Sequence, residues 1–251
     1  MILYEYPFNE RTRTFLRLEH LFSRLSSLIS RETSLDHHYA LTTIFEVMDV
    51  GARADLKSDV LRDLDRQKHI LNSYRGNPAI AEEVLDKVIV QIDGCFTALS
   101  GLPGKAGQSL TENDFLMSIR SRMGIPGGTC EFDLPAYYAW QQRSPQLRQI
   151  DLRRWASVLA PLADSINLLM KMLRDSGISQ KVVAPLGQYQ QNLPQGRIFN
   201  LLRLRIDQAS GLIPEISGNR LILSVRLMRQ DAQDHLSASN EDASFEIALC
   251  A

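Results

Sequence analysis

The arginines are the residues whose type and spacing point most clearly to chemistry. Residues 178–229 contain seven lysines and arginines but only two acidic residues. Residues 230–251 contain five acidic residues and neither lysine nor arginine, so the formal net charge of −1 conceals a basic segment beside an acidic one. Arginine presents a planar fork of donors that fits carboxylates, and it is enriched at the energetic centres of protein interfaces. The pattern predicts a basic partner-binding surface, unless these arginines are ordinary solvent-facing residues paired with their neighbours.

Strand periodicity indicates which of these arginines share a face. From about residue 178 the apolar residues recur with a period of two, as in half-buried strands. In segment 197–207 Arg203 and Arg205 lie opposite the more apolar face, and in segment 220–229 Arg220 and Arg226 do. Residues 217–219 predict a tight turn before the second segment. If these strands belong to one antiparallel meander, their arginines line a single solvated surface. The arginines placed on it are Arg203, Arg205, Arg220 and Arg226.

A glycine-rich loop, residues 101–107, resembles a phosphate-binding loop only superficially. A P-loop requires four residues between its glycines and a hydroxyl residue after its lysine. Here two residues separate Gly101 from Gly104, and Ala106 follows Lys105. This loop is therefore not expected to bind a nucleotide.

The histidines and cysteines are poorly arranged for a metal site or a disulfide framework. His37 and His38 are adjacent, so on a helix their side chains diverge by about 100°. The three cysteines, Cys95, Cys130 and Cys250, are odd in number and widely spaced, which is typical of reduced thiols in a cytoplasmic protein. The common hydrolase, metalloprotease and thiol-redox motifs do not occur in the sequence. We therefore expect no metal, no cofactor, no small-molecule substrate and no enzymatic activity.

The elements that must position the arginines are mainly helical over the first two thirds of the chain. Asn9 is a good helix N-cap, and apolar residues recur at steps of three and four from Phe15 to Ile29. Similar stripes continue to Gly177, and Pro161 predicts a kink or break in the last long helix. The predicted fold class is α+β, with a mainly helical domain and a smaller antiparallel β-sheet domain. The helical domain spans residues 8–177 with a short strand near 129–132, and the β domain spans 178–251 and is joined by a strand at 2–6.

Composition limits the classes of partner. Hydrophobic residues make up 44% of the chain, yet no segment approaches the ~20 apolar residues of a membrane span, so no membrane partner is expected. The near-zero net charge and the 7% aromatic content argue against nucleic acid. The main alternative is nonetheless a nucleic-acid-binding protein that uses the same arginines on phosphates. The favoured interpretation is a cytoplasmic protein that binds another protein.

Several strings along the chain are similar to those of one family. These strings are Phe8–Glu19, Leu61–Gln67, Ile125–Pro135, Pro214–Gly218, Val225–Met228 and Phe245–Ala251. Because they occur in order from one end of the chain to the other, the chain resembles the ZapD family of bacterial cell-division proteins over essentially its whole length. The stretch 176–200 carries little of the likeness, and Leu227 stands where the family is expected to have an aromatic residue.

This resemblance implies a partner and a set of contact residues. Family members associate with the tubulin-like division GTPase FtsZ at midcell, bind its C-terminal tail, form symmetric homodimers and bundle its filaments, which stabilises the Z-ring. The matching strings imply partner-binding roles for Arg17, Arg120, Arg122, Arg220 and Arg226. The assignment of Arg203 and Arg205 as partner contacts comes only from the alternation of residues along the predicted strands, and not from the matching strings. Tyr138 and Trp140 are candidate aromatic contacts, for which core packing is an equally good explanation.

Overall fold

The computed structural model describes residues 1–53 and 55–251, which form two compact units. The β unit comprises Met1–Phe15 and Met170–Ala251, and the helical unit comprises Leu16–Leu169. Helices and antiparallel sheets are both present, so the predicted α+β class is confirmed.

Eight α-helices lie within the described part of the chain. They are α1 Glu10–Ile29, α2 Ser34–Gly51, α3 Leu56–Asn72, α4 Glu82–Ser100, α5 Asp114–Met123, α6 Pro135–Gln141, α7 Pro145–Ser157 and α8 Ala160–Asp175. The predicted cap of the first helix is confirmed, because the Asn9 side chain accepts a hydrogen bond from the Thr12 amide at 2.8 Å. The predicted break near Pro161 is also confirmed. Pro161 lies in the first turn of α8, where no backbone N–H is required.

Residues 129–132 do not form the short strand that the sequence predicts. The segment 124–133 is a run of turns closed by local hydrogen bonds, from the Gly128 amide to the Ile125 carbonyl at 2.9 Å and from the Asp133 amide to the Cys130 carbonyl at 3.1 Å. Gly127 has a φ of +69°, a conformation that favours glycine. Because the turns satisfy backbone groups locally, this segment needs no neighbouring strand.

The core of the helical unit contains a cluster of aromatic side chains. Phe115 stacks on Trp155 with ring centroids 5.8 Å apart, and Tyr137 stacks on Trp140 at 5.9 Å. The two tryptophan rings lie 6.0 Å apart, so the cluster links α5, α6 and α7. Such aromatic pairs stabilise a core beyond the area they bury.

Beside this cluster, the guanidinium group of Arg148 is buried and forms no ion pair with an acidic side chain of the described residues. It donates from Nε to His37 Nδ1 at 2.9 Å, from Nη1 to the Gln141 carbonyl at 2.8 Å and to the Arg143 carbonyl, and from Nη2 to the Glu32 carbonyl at 2.7 Å. A buried charge must have its hydrogen-bonding capacity satisfied. Here three backbone carbonyls and one imidazole accept the hydrogen bonds of the guanidinium group. These bonds join α7 to α2 and a residue before it, and to the end of α6 and a residue after it.

The bond from Arg148 determines the protonation state of His37. Since Nδ1 accepts this bond, the ring proton resides on Nε2, which donates to the Arg31 carbonyl at 2.9 Å. Burial, together with the positive charge of Arg148, holds the pKa of His37 below its ordinary value against the opposing effects of the Arg31 carbonyl bond and of Asp36. The adjacent His38 has a different partner, the Tyr137 hydroxyl at 2.8 Å, so the two imidazoles do not converge.

A measurable pH dependence follows from the lowered pKa of His37. As the pH falls below about 6.5, the unfolded chain binds a proton that folded His37 does not, so stability decreases by up to about 1.4 kcal/mol per pH unit. We expect urea denaturation to show this loss between about pH 7.5 and about pH 5.5. In a His37→Gln variant, whose amide oxygen still accepts from Arg148, the slope of stability against pH should be smaller. Equal slopes in the two proteins would contradict the assignment.

The β unit contains eight strands that form two sheets. The strands are β1 Ile2–Pro7, β2 Ile178–Ala184, β3 Gln188–Asn192, β4 Leu201–Ile206, β5 Leu212–Gly218, β6 Ile222–Gln230, β7 Leu236–Ala238 and β8 Ala243–Cys250. The first sheet has the order β1-β4-β8-β2, and the second has the order β3-β6-β5 with β7 also paired to β6. All pairs are antiparallel.

One hydrophobic core lies between the two sheets. Leu204 and Phe245 of the first sheet and Val225 and Leu227 of the second are among its fully buried members. Tyr189 of β3 meets Phe245 edge-on, with ring centroids 5.7 Å apart. Each sheet therefore has an inner face in the core and an outer face, as in a β-sandwich.

The predicted single meander is wrong, because β4 and β6 belong to different sheets. β4 lies between β1 and β8 and does not pair with β5, the strand that follows it in sequence. The predicted turn at 217–219 lies two residues later than expected, because Ser217 and Gly218 still belong to β5. Residues 219–221 join β5 to β6, and the Asn219 side chain accepts from the Leu221 and Ile222 amides at 2.8 and 3.0 Å.

No single helix in the described residues is long and apolar enough to cross a membrane. By length and composition alone, α7 and α8 pass that test only as a pair, bent by 66° at the break between them.

Candidate partner-binding surfaces

An ion-pair cluster on the outer face of the first sheet holds Arg203. Glu5 of β1 receives two hydrogen bonds from Arg174 of α8, both 2.8 Å long, and one from Arg203 Nε at 3.1 Å. Burial opposes the ionisation of Glu5, but the two guanidinium groups outweigh it and keep its pKa below the ordinary value. Arg203 is therefore a structural ion-pair partner within the β unit.

Arg205 lies on the same outer face but is exposed. In the strand register it stands between Leu3 of β1 and Glu246 of β8. Neither Arg205 nor Glu246 forms an ion pair within 4 Å among the described residues. Arg205 thus keeps its guanidinium group available to solvent.

The second sheet carries Arg226 on its own outer face. Leu223, Val225 and Leu227 point into the core, so Arg226 between them points outward. Its Nη1 atom lies 3.8 Å from the carboxylate of Glu215 on β5, beyond hydrogen-bonding distance. The side chain of Arg226 is 58% exposed.

Arg220 does not lie on a strand as predicted. It occupies the turn between β5 and β6 and is exposed. The four candidate arginines of the β unit therefore do not line one surface. Arg203 and Arg205 lie on the outer face of the first sheet. Arg226 lies on the outer face of the second sheet, and Arg220 lies in the turn that precedes β6.

The helical unit carries the remaining candidate arginines. Arg17 is an exposed residue of α1. Arg120 of α5 forms an ion pair with Asp49 of α2. Arg122, at the end of α5, lies 3.9 Å from the carboxylate of Asp133 and makes only a loose contact with it.

The two aromatic candidates have different environments. Tyr138 is exposed on α6 and is available to a partner. Trp140 is only 4% exposed, and its indole Nε1 donates to Asp151 at 3.0 Å. The structure therefore contradicts a surface contact for Trp140, whose ring packs in the core as the alternative interpretation predicted.

Sequence reasoning missed two apolar side chains in the segment between α5 and α6. Phe132 is 79% exposed, and Ile125 is also exposed. Both lie in the turns that follow Arg122, where their apolar side chains are open to a partner. The only sequence signal that could have marked these two residues as candidate contacts was their place in the Ile125–Pro135 string. Periodicity of apolar residues does not indicate which side chains are exposed in a run of turns.

The described residues contain no group of three or more His, Cys, Asp or Glu side chains that could hold a metal ion. Among the described residues, Arg122 and Arg226 make only loose contacts with carboxylates, and Phe132 and Tyr138 expose aromatic rings. Arginine and aromatic residues are the types that dominate binding energy at protein interfaces. Fold and surface together define a two-unit α+β protein equipped with arginine and aromatic groups typical of protein recognition.

Comparison with known proteins identifies the family. The sequence model of the ZapD family, described as a cell division protein, matches residues 16–226. The chain is 51% identical over 251 residues to the cell division protein ZapD of Ralstonia nicotianae and 50% identical to that of Ralstonia pickettii, in each case covering 100% of this chain and 99% of the relative. It is 48% identical over 250 residues to the ZapD of a Janthinobacterium species, with the same coverage. The chain belongs to the ZapD family of cell division proteins, as the resemblance predicted.

Proposed function

We propose that this protein binds the C-terminal tail of FtsZ and that its homodimer cross-links and bundles FtsZ filaments at midcell. Membership of a family of cell division proteins supports a role in division. A cytoplasmic location with recruitment to the division site follows from this choice of partner.

The observation that carries the proposal is the looseness of two exposed ion pairs. Arg122 lies 3.9 Å from Asp133, and Arg226 lies 3.8 Å from Glu215, so neither pair has a short charge-assisted hydrogen bond. Exposed pairs of this kind contribute at most about 1 kcal/mol to stability. A partner carboxylate can therefore replace the internal one at little cost and gain a bidentate contact.

Apolar anchors complement this charge exchange in the helical unit. Phe132 and Tyr138 are exposed in the region that also contains Arg122. A short tail with acidic and apolar residues would place its carboxylates on the guanidinium groups and its apolar side chains against the two rings. The resulting contact is small, so the affinity of one site is expected to be modest.

A symmetric homodimer would convert modest single-site affinity into filament cross-linking. Each dimer presents two equivalent sites, and each filament presents many tails. Once one site is occupied, the second binds at a high effective concentration of tails. The measured mass in solution tests this step. A strictly monomeric protein at micromolar concentration would contradict cross-linking by dimers.

Removal of the FtsZ tail provides the decisive test of the partner. We expect this protein to bundle full-length FtsZ and not FtsZ lacking its C-terminal tail. Low-speed sedimentation measures the bundles, and high-speed sedimentation of the same samples with GTP confirms that both forms of FtsZ polymerise equally. Equal bundling of the two forms would contradict tail binding.

A further inference from the structure

Strand β2 forms an open edge of the first sheet. It pairs with β8 along one side, and no strand in the described chain pairs with its other side. All its residues except Val182 and Ala184 are exposed, including Ile178 at 87%. An edge strand presents a row of unpaired backbone N–H and C=O groups to solvent.

The other edge strands of the β unit carry features that hinder pairing, whereas β2 does not. β5 contains Pro214, which has no backbone N–H, and β1 has six residues and ends in Pro7. β3 has five residues and β7 has three, whereas β2 has seven and contains neither proline nor glycine. Short length and proline are common protections of sheet edges. β2 is thus the edge best suited to accept another strand.

In the connection after β2, an exposed leucine has an unfavourable backbone conformation. Leu186 adopts a left-handed conformation, with φ +50°, which is unfavourable for a residue with a branched side chain, and it is 63% exposed. Its amide donates to the Asp242 carboxylate at 2.8 Å. A Cβ atom at the next residue, Gly187, would lie 2.3 Å from the Ser239 carbonyl oxygen, so the backbone is closely held on both sides of the strained position.

The centre of the edge strand carries one charge. Lys181 points to the outer face, on the same side as Val183. Its register neighbour Glu246 accepts a hydrogen bond from the Ser179 hydroxyl at 3.2 Å. No carboxylate of the described residues forms an ion pair with Lys181, so its ammonium group is available to a strand added at the edge.

We propose that β2 is a docking edge for an extended peptide segment of a partner protein. The segment adds to the sheet as a fifth strand, places a carboxylate opposite Lys181 and an apolar residue opposite Val183, and extends toward Leu186. Backbone hydrogen bonds supply affinity, and alternate side chains supply specificity. Lys181 disfavours basic segments, so it selects among extended peptides. This proposal uses none of the arginines assigned to the FtsZ tail and does not depend on that function.

A synthetic peptide tests the proposal with the full-length protein. The probe is a fluorescein-labelled peptide of sequence Thr-Val-Thr-Glu-Thr-Val-Thr, in which the glutamate and both valines share one face. Fluorescence anisotropy should show saturable binding, and hydrogen–deuterium exchange should slow in residues 178–184. The same peptide with alternate backbone amides N-methylated cannot pair along its edge and should not bind.

Two variants locate the contact. Lys181→Glu and Leu186→Gly should each weaken binding about fivefold, the effect of one cross-strand pair. Glycine accepts the left-handed backbone at position 186, so that variant folds without strain. Lys171→Glu, which makes the same charge change on α8, is the matched control and should bind normally. Binding of the N-methylated peptide, slowed exchange elsewhere than in β2, or no binding at millimolar peptide would overturn the proposal.

Discussion

Replacing Arg148 with methionine is expected to lower the free energy of unfolding of the helical unit by about 3–5 kcal/mol, because each buried acceptor left without a donor costs about 1–3 kcal/mol. Methionine keeps most of the apolar stem but removes every donor. The Glu32, Gln141 and Arg143 carbonyls and the Nδ1 atom of His37 then lose the group that satisfies them in a buried site. This cost is well above that of ordinary surface substitutions.

Tryptophan fluorescence is a suitable measurement for this effect. The chain contains two tryptophans, Trp140 and Trp155, and both lie in the core of the helical unit. Their emission should report an unfolding midpoint lowered by roughly 10 °C. Arg153→Met, an exposed arginine of the same helix, is the matched control and should stay within about 0.5 kcal/mol of the unmodified protein. Equal midpoints for the two variants would show that the Arg148 bonds contribute little.

Arg148 also shows where sequence reasoning reaches its limit. In the sequence it is one of several polar residues on α7, and no periodicity separates it from the exposed Arg153. Its burial depends on α7 packing beside α2 and on the carbonyl groups at the end of α6. These are tertiary relations, and a single sequence carries no direct signal of them.

Features with local causes were predicted more successfully. The apolar stripe of α1 and the cap at Asn9 lie within a few residues of each other, and both are observed. The turn before α4 has a local cause of the same kind, because the Asn77 side chain accepts from the Ala79 amide at 3.0 Å. α4 then runs from Glu82 to Ser100, and its buried residues include Leu85 and Ile89.

The arginine predictions failed where they depended on strand pairing. The alternation of residues along the strand correctly placed Arg203 away from the sandwich core. Its carboxylate partner, Glu5, lies 198 positions away in the sequence. Pairing of β4 with β1 and β8 brings the two side chains together. Because strand pairing over such separations leaves no pattern within either strand, the division of the arginines between two sheets could not be predicted.

This division yields a second large expected effect, on binding of the FtsZ tail. The double variant Arg220→Glu/Arg226→Glu is expected to weaken binding of a labelled C-terminal FtsZ peptide by about 100-fold. Each reversal removes a charge-assisted hydrogen bond and sets a like charge against the peptide carboxylates. Both residues are exposed, and within the described part of the chain neither forms a short ion pair, so the fold should be preserved. The matched pair in the helical unit, Arg120→Glu/Arg122→Glu, tests the other candidate surface in the same assay.

The control for both pairs is Arg153→Glu/Lys171→Glu, which changes the net charge by the same amount at two exposed residues outside the candidate set. If the arginines act by direct contact, this control should lose less than about threefold in affinity, because exposed charges more than about 10 Å from the ligand are screened by salt. An equal loss in all three variants would indicate attraction by overall charge, which is how a nucleic-acid-binding protein would behave toward polyanions. A loss confined to one candidate pair assigns the tail to that unit, whereas losses in both pairs mean that arginines of each unit contribute to binding.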